Sequence, residues 1–297
     1  MTTLTHKPAT KGQIRQLRNV GADAIEQVLE ELGISKDGAQ RVHANGEFAT
    51  VMREAAKASI LDLSVTDKYK NEEVKSTYGY LSGYKKPHPI TAQTNRLCEL
   101  IPGVGYADEQ IAEGELPKNA EGWFAIPKWQ SVAPTYAEAV QKVFELIKKT
   151  HGKFYNYRDG QITNERLRQS TKTQGVLDQF AEAQKGYDIL VIPAQFGILH
   201  RGRSVRRALE VMVDQGQFGL GAFAIGIMLL THPERLDNYD DLYIDCAGDE
   251  FDDPDIVASF SRAPCFSFDV GKVRFGAYRV DHAVDDYGSA SGFVPQS

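Results

Sequence analysis

The chain has 297 residues, of which 42% are hydrophobic and 25% are charged, and its formal net charge is −6. This length allows one large domain or two unequal ones, and the composition is typical of a folded protein rather than a disordered one. The negative net charge disfavours general adhesion to nucleic acid or to anionic membranes, although it leaves room for one local basic site.

The sequence also predicts where the chain resides. Its start, "MTTLTHKPATKGQ", lacks the apolar stretch of a secretion signal. The longest apolar run, "LGAFAIGIMLL", has about half of the roughly 20 residues that a membrane crossing needs. Cys98, Cys246 and Cys265 form no C-x-x-C pair, which predicts free thiols. We therefore expect a cytoplasmic protein with no membrane partner.

Residues 1–64 are predicted to form a small helical region. Apolar residues recur with a helical period in "TKGQIRQLRNVGADAIEQVLEELG", and Gly33 stands where a C-terminal cap belongs. A second helical pattern runs from Phe48 to Ile60. Each pattern leaves one apolar stripe that requires a packing partner.

Residues 65–114 are predicted to be a linker with a short helix. Between Thr66 and Pro89 no period survives, and lysines and tyrosines alternate with glycine. An exposed connector is one interpretation of this segment. The other is a surface that stacks bases and contacts phosphates of single-stranded nucleic acid.

Residues 115–297 are predicted to form one α+β domain. The strand-like "GWFAIPKW" is followed by a helix that begins at a capping box of Thr135 and Glu138, and then by the strand-like "KFYNYRDG". The order recurs in "YDILVIPAQ", "LGAFAIGIMLLTHPERL" and "DLYIDCAG", which indicates a weak strand-helix-strand duplication. A hairpin that turns at Gly271 follows. The predicted fold class is α+β, with a helical N-terminal region before a mixed α/β domain.

Five segments within residues 120–297 resemble a family of uncharacterised bacterial hypothetical proteins: "GWFAIPKW", "HRGRSVRRA", "FGLGAFAIGIMLLTHPERL", "DLYIDCAGDEF" and "YGSASGFVP". The resemblance implies a folded unit of bacterial type. It carries no activity and no catalytic residue to this chain.

The densest positive charge lies in "LHRGRSVRRALEVM", directly after the strand-like "YDILVIPAQFG". Ser204 is a suitable N-cap, and the apolar residues that follow predict a helix that ends before Gly216. Positive charge in the first turn opposes the helix dipole, so an anion is expected beside it. The predicted anion-contacting residues are His200, Arg201, Arg203, Ser204, Arg206 and Arg207.

Two sources of that anion stay open. Residues 237–255 contain nine acidic side chains and no basic one, so the arginines are expected to pair with this run if the anion is internal. The external alternative is an anionic small molecule, an acidic protein surface or nucleic acid. On the external interpretation the chain is a binding or interaction protein.

The alternative function is a metal-assisted enzyme that acts on a phosphorylated or nucleic-acid substrate. Asp245, Asp249, Glu250 and Asp252 supply oxygen ligands for a divalent cation, although their spacing is not that of an EF-hand. Gly219, Gly221 and Ala224 fit the dinucleotide pattern G-x-G-x-x-A. No buried strand is expected before them, which argues against a dinucleotide site.

Overall fold

The computed structural model describes residues 10–44, 47–64 and 67–295, and for residues 57–64 it describes the backbone alone. The chain divides into two compact units, Met1–Thr66 and Asp67–Ser297. A helical N-terminal region precedes mixed sheets, so the predicted α+β class is confirmed.

The first unit contains three helices in its described part. They are α1 (Lys11–Glu31), α2 (Lys36–Ala44) and α3 (Glu47–Ser64). Thr10 begins α1 with a capping box in which its hydroxyl accepts from Gln13 N. Sequence periodicity did not predict α2, because "KDGAQRVHA" has too few apolar residues for a stripe. On α1, Ile14 and Leu17 are more than half exposed, and the expected partner of this stripe is not found among the described residues.

The second unit contains the other five helices and all eleven strands of the described chain. The helices are α4 (Ile90–Leu100), α5 (Tyr136–His151), α6 (Thr171–Ala183), α7 (Val205–Asp214) and α8 (Ala222–Thr231). The strands are β1 (Gly122–Pro127), β2 (Phe154–Asn156), β3 (Leu167–Gln169), β4 (Ile189–Gln195), β5 (Gln217–Gly219), β6 (Tyr243–Asp245), β7 (Asp249–Phe251), β8 (Arg262–Asp269), β9 (Lys272–Arg279), β10 (Tyr287–Ser289) and β11 (Ser291–Phe293).

These strands form two sheets. The first sheet has the order β1-β4-β11-β5 and is antiparallel throughout. The second contains β10-β6-β8-β7-β3, with β9 paired to β8 and β2 paired to β9, and its β10-β6 and β2-β9 pairs are parallel. Each predicted strand-helix-strand unit begins in the first sheet, at β1 or β4, and ends in the second, at β2 or β6. The suggested duplication is compatible with this topology and stays a prediction.

The helix α8 and the strand β4 lie in the core of the second unit. All ten residues of α8 and all seven of β4 are buried, as expected for segments that are apolar on every face. Gly226 of α8 faces Val143 of α5, and a Cβ at Gly226 would overlap Val143. The glycine thus lets α5 and α8 pack closely.

The predicted domain boundary at residue 115 is wrong, because residues 67–114 belong to the second unit. Within this segment Tyr84, Leu97 and Val104 are buried in the main core. The hydroxyl of Tyr84 donates to the partly buried Glu121 carboxylate at 2.9 Å. Most described residues before Pro89 are exposed, as expected, but the segment is not a free connector, because it is bonded to the rest of the second unit. The predicted short helix is present as α4. The residues before Pro89 are held partly by hydrogen bonds such as the one from Tyr84 to Glu121. A search of the sequence for apolar periodicity does not detect such bonds.

The three cysteines are free, with Cys98 exposed and Cys246 and Cys265 buried. None of the helices in the described part of the chain combines the length and the hydropathy that a membrane crossing requires.

Candidate functional site

The arginine-rich segment follows β4 and continues into the first turn of α7, as the sequence predicts. Ser204 caps α7, and its hydroxyl accepts a hydrogen bond from Arg207 N at 3.1 Å. Gly216 follows the helix with φ +63°, a left-handed conformation that glycine adopts without strain. The predicted bounds of this helix are confirmed.

A segment that we call the strap, residues 67–76, lies directly on the start of α7. Val74 N donates to Gly202 O at 2.7 Å, and Ser204 N donates to Glu72 O at 3.0 Å. Gly202 has φ +73°, and a Cβ there would overlap Val74 O. Glycine at this position therefore allows the backbone of the strap to approach the arginine segment.

Glu72 of the strap supplies the anion at the N-terminus of α7. Its carboxylate accepts from the Ser204 hydroxyl at 2.6 Å and from Arg206 Nε at 2.8 Å. The bond from Arg206 lowers the pKa of Glu72, although partial burial of the carboxylate opposes this change. The expected negative group beside the first turn is thus a side chain of the same protein.

Arg207 is held by three carboxylates. Its guanidinium contacts Glu73 at 2.6 Å, Glu210 at 2.7 Å and Asp67 at 2.9 Å. Burial by itself would lower the pKa of Arg207, but the bonds to Glu73, Glu210 and Asp67 outweigh it and raise that pKa. Glu210 also accepts from Lys68 N of the strap at 2.6 Å. Arg207 therefore joins the strap to α7.

His200 and Arg203 face the interior of the unit. His200 is fully buried, with Nδ1 2.9 Å from Arg203 Nη1 and Nε2 2.9 Å from Gln217 Oε1. Because a guanidinium can only donate, Nδ1 accepts and Nε2 carries the hydrogen. Burial lowers the pKa of His200 to about 4. Arg203 also pairs with Glu73 at 3.3 Å.

The prediction that His200 contacts an external anion is therefore wrong, since this imidazole is neutral and both of its nitrogens are engaged. Arg201 is the remaining arginine, and it is exposed. Its Nη1 donates to Tyr78 O at 3.0 Å, and no carboxylate within the described ranges pairs with it.

The arginines pair internally, but with other carboxylates than those of residues 237–255. Their partners among the described residues are Asp67, Glu72, Glu73 and Glu210. The acidic run was the expected partner because it is dense in sequence, whereas the fold brings the strap to α7 from more than 120 residues upstream. External anion binding by Arg201, Arg203, Ser204, Arg206 and Arg207 stays a prediction.

A cavity of about 330 Å³ lies beside the first turn of α7. We call it the guanidinium cleft, and its lining residues are Arg206, Ile256, Ala258, Ser261, Arg262, Arg279, Val280 and Asp281. Two backbone bonds assemble it: Arg206 N donates to Val280 O at 3.1 Å, and Val280 N donates to Ser261 O at 3.2 Å. Three guanidinium groups from α7, β8 and β9 thus line one space.

Each cleft arginine uses one side of its guanidinium for a carboxylate of the protein. Arg279 donates through Nε and Nη2 to Asp281, both at 3.0 Å, and Arg262 Nε lies 2.6 Å from Asp253. Nη1 of Arg206, Nη1 of Arg279 and both Nη atoms of Arg262 have no acceptor within the described part of the chain. The cleft therefore keeps donors that a bound anion can use.

Sequence reasoning did not single out Arg262 and Arg279, although one signal was present. The predicted hairpin turns at Gly271, and the observed register places Arg262 directly opposite Arg279. Like charges at such positions are destabilising unless an anion compensates them. Counting the hairpin register out from the turn would have revealed the pair.

The structure separates the four residues of the predicted metal site. Asp249 accepts from the Tyr136 hydroxyl at 2.8 Å and from Ala222 N at 2.7 Å, whereas Glu250 pairs with Arg168 at 2.7 Å. Successive residues of a strand point to opposite faces, which explains why Asp249 and Glu250 diverge.

The other two residues of that set also have different surroundings. Asp252 accepts from the Ser259 hydroxyl at 3.1 Å. Asp245 is buried on β6, where desolvation and then the charge of Asp286 raise its pKa to about 7. The described residues contain no group of three or more His, Cys, Asp or Glu side chains that could hold a metal ion. The predicted site is not formed by them.

The glycines of the dinucleotide pattern also have a structural role. Contrary to expectation, a short buried strand leads into them, because β5 ends at Gly219, and α8 begins after Gly221. A Cβ at Gly219 would overlap the backbone of Ala247, and one at Gly221 would overlap the Asp249 carboxylate. The space in which a pyrophosphate would lie is thus filled by the chain.

Comparisons of this chain with protein-family models, with curated proteins and with solved structures each find no match.

Proposed function

We propose that this protein binds an anionic small molecule through a phosphate group in the guanidinium cleft. The observation that carries the proposal is the convergence of Arg206, Arg262 and Arg279 on one cavity of about 330 Å³. Arginine is suited to this role because its planar fork of donors matches the oxygens of phosphate.

The volume and the charge of the cleft favour a small ligand. A cavity of this size is at the lower end of the range of about 300 to 1,000 Å³ for ligand pockets. The net charge of −6 disfavours extended contact with nucleic acid. A phosphate offers more acceptor oxygens than a carboxylate, and the unused Nη atoms of three arginines are the matching donors.

Among the described residues that line the cleft, Asp281 alone carries a carboxylate. Its partner Arg279 has 63% of its side chain exposed, and exposed ion pairs of this kind contribute about 0 to 1 kcal/mol to stability. A phosphate can therefore take over Arg279 from Asp281 at little cost. The proposal requires Asp281 to compete with the ligand.

The test is calorimetric titration of the full chain with inorganic phosphate. Arg279→Gln should weaken binding about tenfold, since a hydrogen bond to a charged group is worth about 1.5 kcal/mol or more. Asp281→Asn should strengthen binding, because it removes the competing carboxylate. Arg96→Gln is the matched control, since Arg96 is also partly exposed and paired with a carboxylate, Glu99, but lies outside the cleft.

Binding should weaken as the salt concentration rises, because the contact is ionic. The proposal is wrong if phosphate produces no heat. It is equally wrong if the Arg279→Gln and Arg96→Gln variants bind phosphate with the same affinity.

A further inference from the structure

The second unit contains another cavity, of about 320 Å³, that shares no residue with the guanidinium cleft. It is open to solvent on one side and is lined by the end of β1 and the turn after it, by α6, by the start of β4 and by the first turn of α8. Because regular elements supply most of its walls, its shape is largely preformed, as is usual for small-molecule sites. We call it the indole cavity, after Trp129.

The walls of the indole cavity are apolar and partly aromatic. Trp129, Leu177 and Phe223 line it. The Trp129 ring contacts the Tyr136 ring edge to face, with centroids 6.0 Å apart, and this contact fixes the indole against the core. A ligand with a flat apolar face can pack against such a wall.

Polar side chains also line the indole cavity, and they contrast with those of the arginine segment. Lys128, Gln169, Gln174 and Asp178 all line the space, yet no described residue forms a hydrogen bond or ion pair with their side-chain polar atoms. In the arginine segment, by comparison, Arg203, Arg206 and Arg207 each pair with a carboxylate. The polar groups of the cavity are thus available to a ligand.

These groups define the chemistry of the ligand. The glutamine amides of Gln169 and Gln174 offer both donors and acceptors, and the carboxylate of Asp178 accepts from an amino group. Asp178 and Asp188 outnumber Lys128 in the lining, so the local charge disfavours a phosphate. The complementary molecule is flat and uncharged, and carries ring nitrogens and an amino group.

We propose that the indole cavity binds a purine-type base or its nucleoside, with the ring against Trp129 and the base edge toward Gln169, Gln174 and Asp178. The size of the cavity fits a single base or nucleoside better than a dinucleotide, because it is at the lower end of the range for ligand pockets. This site is independent of the proposed phosphate site.

The test uses tryptophan fluorescence of the full chain with adenosine and guanosine as probes. The chain has two tryptophans, so a Trp123→Phe background leaves Trp129 as the only reporter. Excitation at the red edge of the indole band avoids absorption by the probes. A nucleoside should change the Trp129 emission in a saturable way, whereas inorganic phosphate should not, even if phosphate binds elsewhere.

Gln174→Ala and Asp178→Asn should each weaken adenosine binding about tenfold. Gln179→Ala is the matched control, since Gln179 is an exposed glutamine of the same helix outside the cavity, and its affinity should stay within twofold of the parent. Gln174 and Asp178 are themselves exposed, so both variants should fold.

The proposal is overturned if neither nucleoside changes the emission at millimolar concentration. It is also overturned if Gln179→Ala weakens binding as much as Gln174→Ala, or if free amino acids saturate the site and nucleosides do not. Loss of phosphate binding by the guanidinium cleft would leave this proposal intact, because the two readouts are separate.

Discussion

The contact between Glu72 and α7 predicts a measurable loss of stability in Glu72→Gln. The carboxylate accepts from the Ser204 hydroxyl and from Arg206, and its side chain is 19% exposed. Hydrogen bonds to charged groups contribute about 1.5 to 3 kcal/mol. Glutamine keeps the size of the side chain and one acceptor oxygen but loses the charge. Because Arg206 is partly exposed, solvent screens the interaction that is lost. We expect the free energy of unfolding to fall by about 1 to 2 kcal/mol.

The assay is urea unfolding at neutral pH, followed by the fluorescence of Trp123 and Trp129, which both lie in the second unit. Trypsin cleavage at Lys70 and Lys75, two exposed lysines of the strap, reports local opening and should be faster in the variant. Glu99→Gln is the matched control, because Glu99 is 68% exposed and pairs with Arg96 one helical turn away. It should lower the unfolding free energy by less than about 0.5 kcal/mol.

The pH dependence gives a second check on Glu72. Its pKa is lowered in the folded state, mainly by the bond from Arg206, so the carboxylate contributes stability above its ordinary pKa. That contribution is lost as the pH falls through the lowered value. The difference between the parent and Glu72→Gln should therefore shrink in acid. Equal effects of Glu72→Gln and Glu99→Gln at neutral pH would refute the idea that this carboxylate anchors the strap.

Three further predictions concern the buried polar groups. Asp245→Asn should flatten the pH dependence of stability, because burial raises the pKa of Asp245 from 3.8 to about 7. The parent therefore loses on the order of 4 kcal/mol of unfolding free energy as the pH rises from below 3.8 through 7. Urea midpoints that fall equally in both proteins would contradict this. Gly221→Ala should destabilise the protein by about 1 to 3 kcal/mol, because a Cβ would overlap the Asp249 carboxylate and the Tyr136 hydroxyl. An unchanged melting temperature would contradict this and show that the site can relax. Tyr136→Phe should lower the free energy of unfolding in urea by about 1 to 3 kcal/mol, because it removes a donor to the buried Asp249. A loss below about 0.5 kcal/mol would mean that the carboxyl group is satisfied without this donor.

Local sequence patterns predicted the capped helices α5 and α7. The helix α5 begins after Thr135, whose hydroxyl accepts from Glu138 N, and it ends at Gly152 with φ +70°. The helix α7 begins after Ser204 for the same reason. Such caps and apolar stripes depend on residues within one or two turns, so the sequence alone contains the necessary information.

The strap and the cleft could not be predicted in this way. Glu72 contacts Ser204 and Arg206 across more than 130 residues of chain, and nothing in the pattern of residues 67–76 marks that partner. The cleft depends on a hairpin register and on the approach of α7 to Val280. Both features arise from tertiary packing, which local patterns do not encode. The acidic run at residues 237–255 was a misleading signal, because charge density in the sequence does not determine distance in the fold.

The four arginines around Ser204 can now be explained by the charge balance at the start of α7. Arg206 and Arg207 lie in its first turn, where the positive end of the helix dipole disfavours them. Glu72 offsets this cost with a carboxylate placed at the cap, and Glu73, Asp67 and Glu210 neutralise Arg207. These four carboxylates together neutralise Arg203, Arg206 and Arg207 within the protein, whereas Arg201 donates to the backbone oxygen of Tyr78. An anionic ligand is therefore not drawn to the cluster as such but to its edge, where Arg206 faces Arg262 and Arg279 and where donors remain unused. This is why the proposed phosphate contact is assigned to the cleft rather than to the N-terminus of α7, which the carboxylate of Glu72 already occupies.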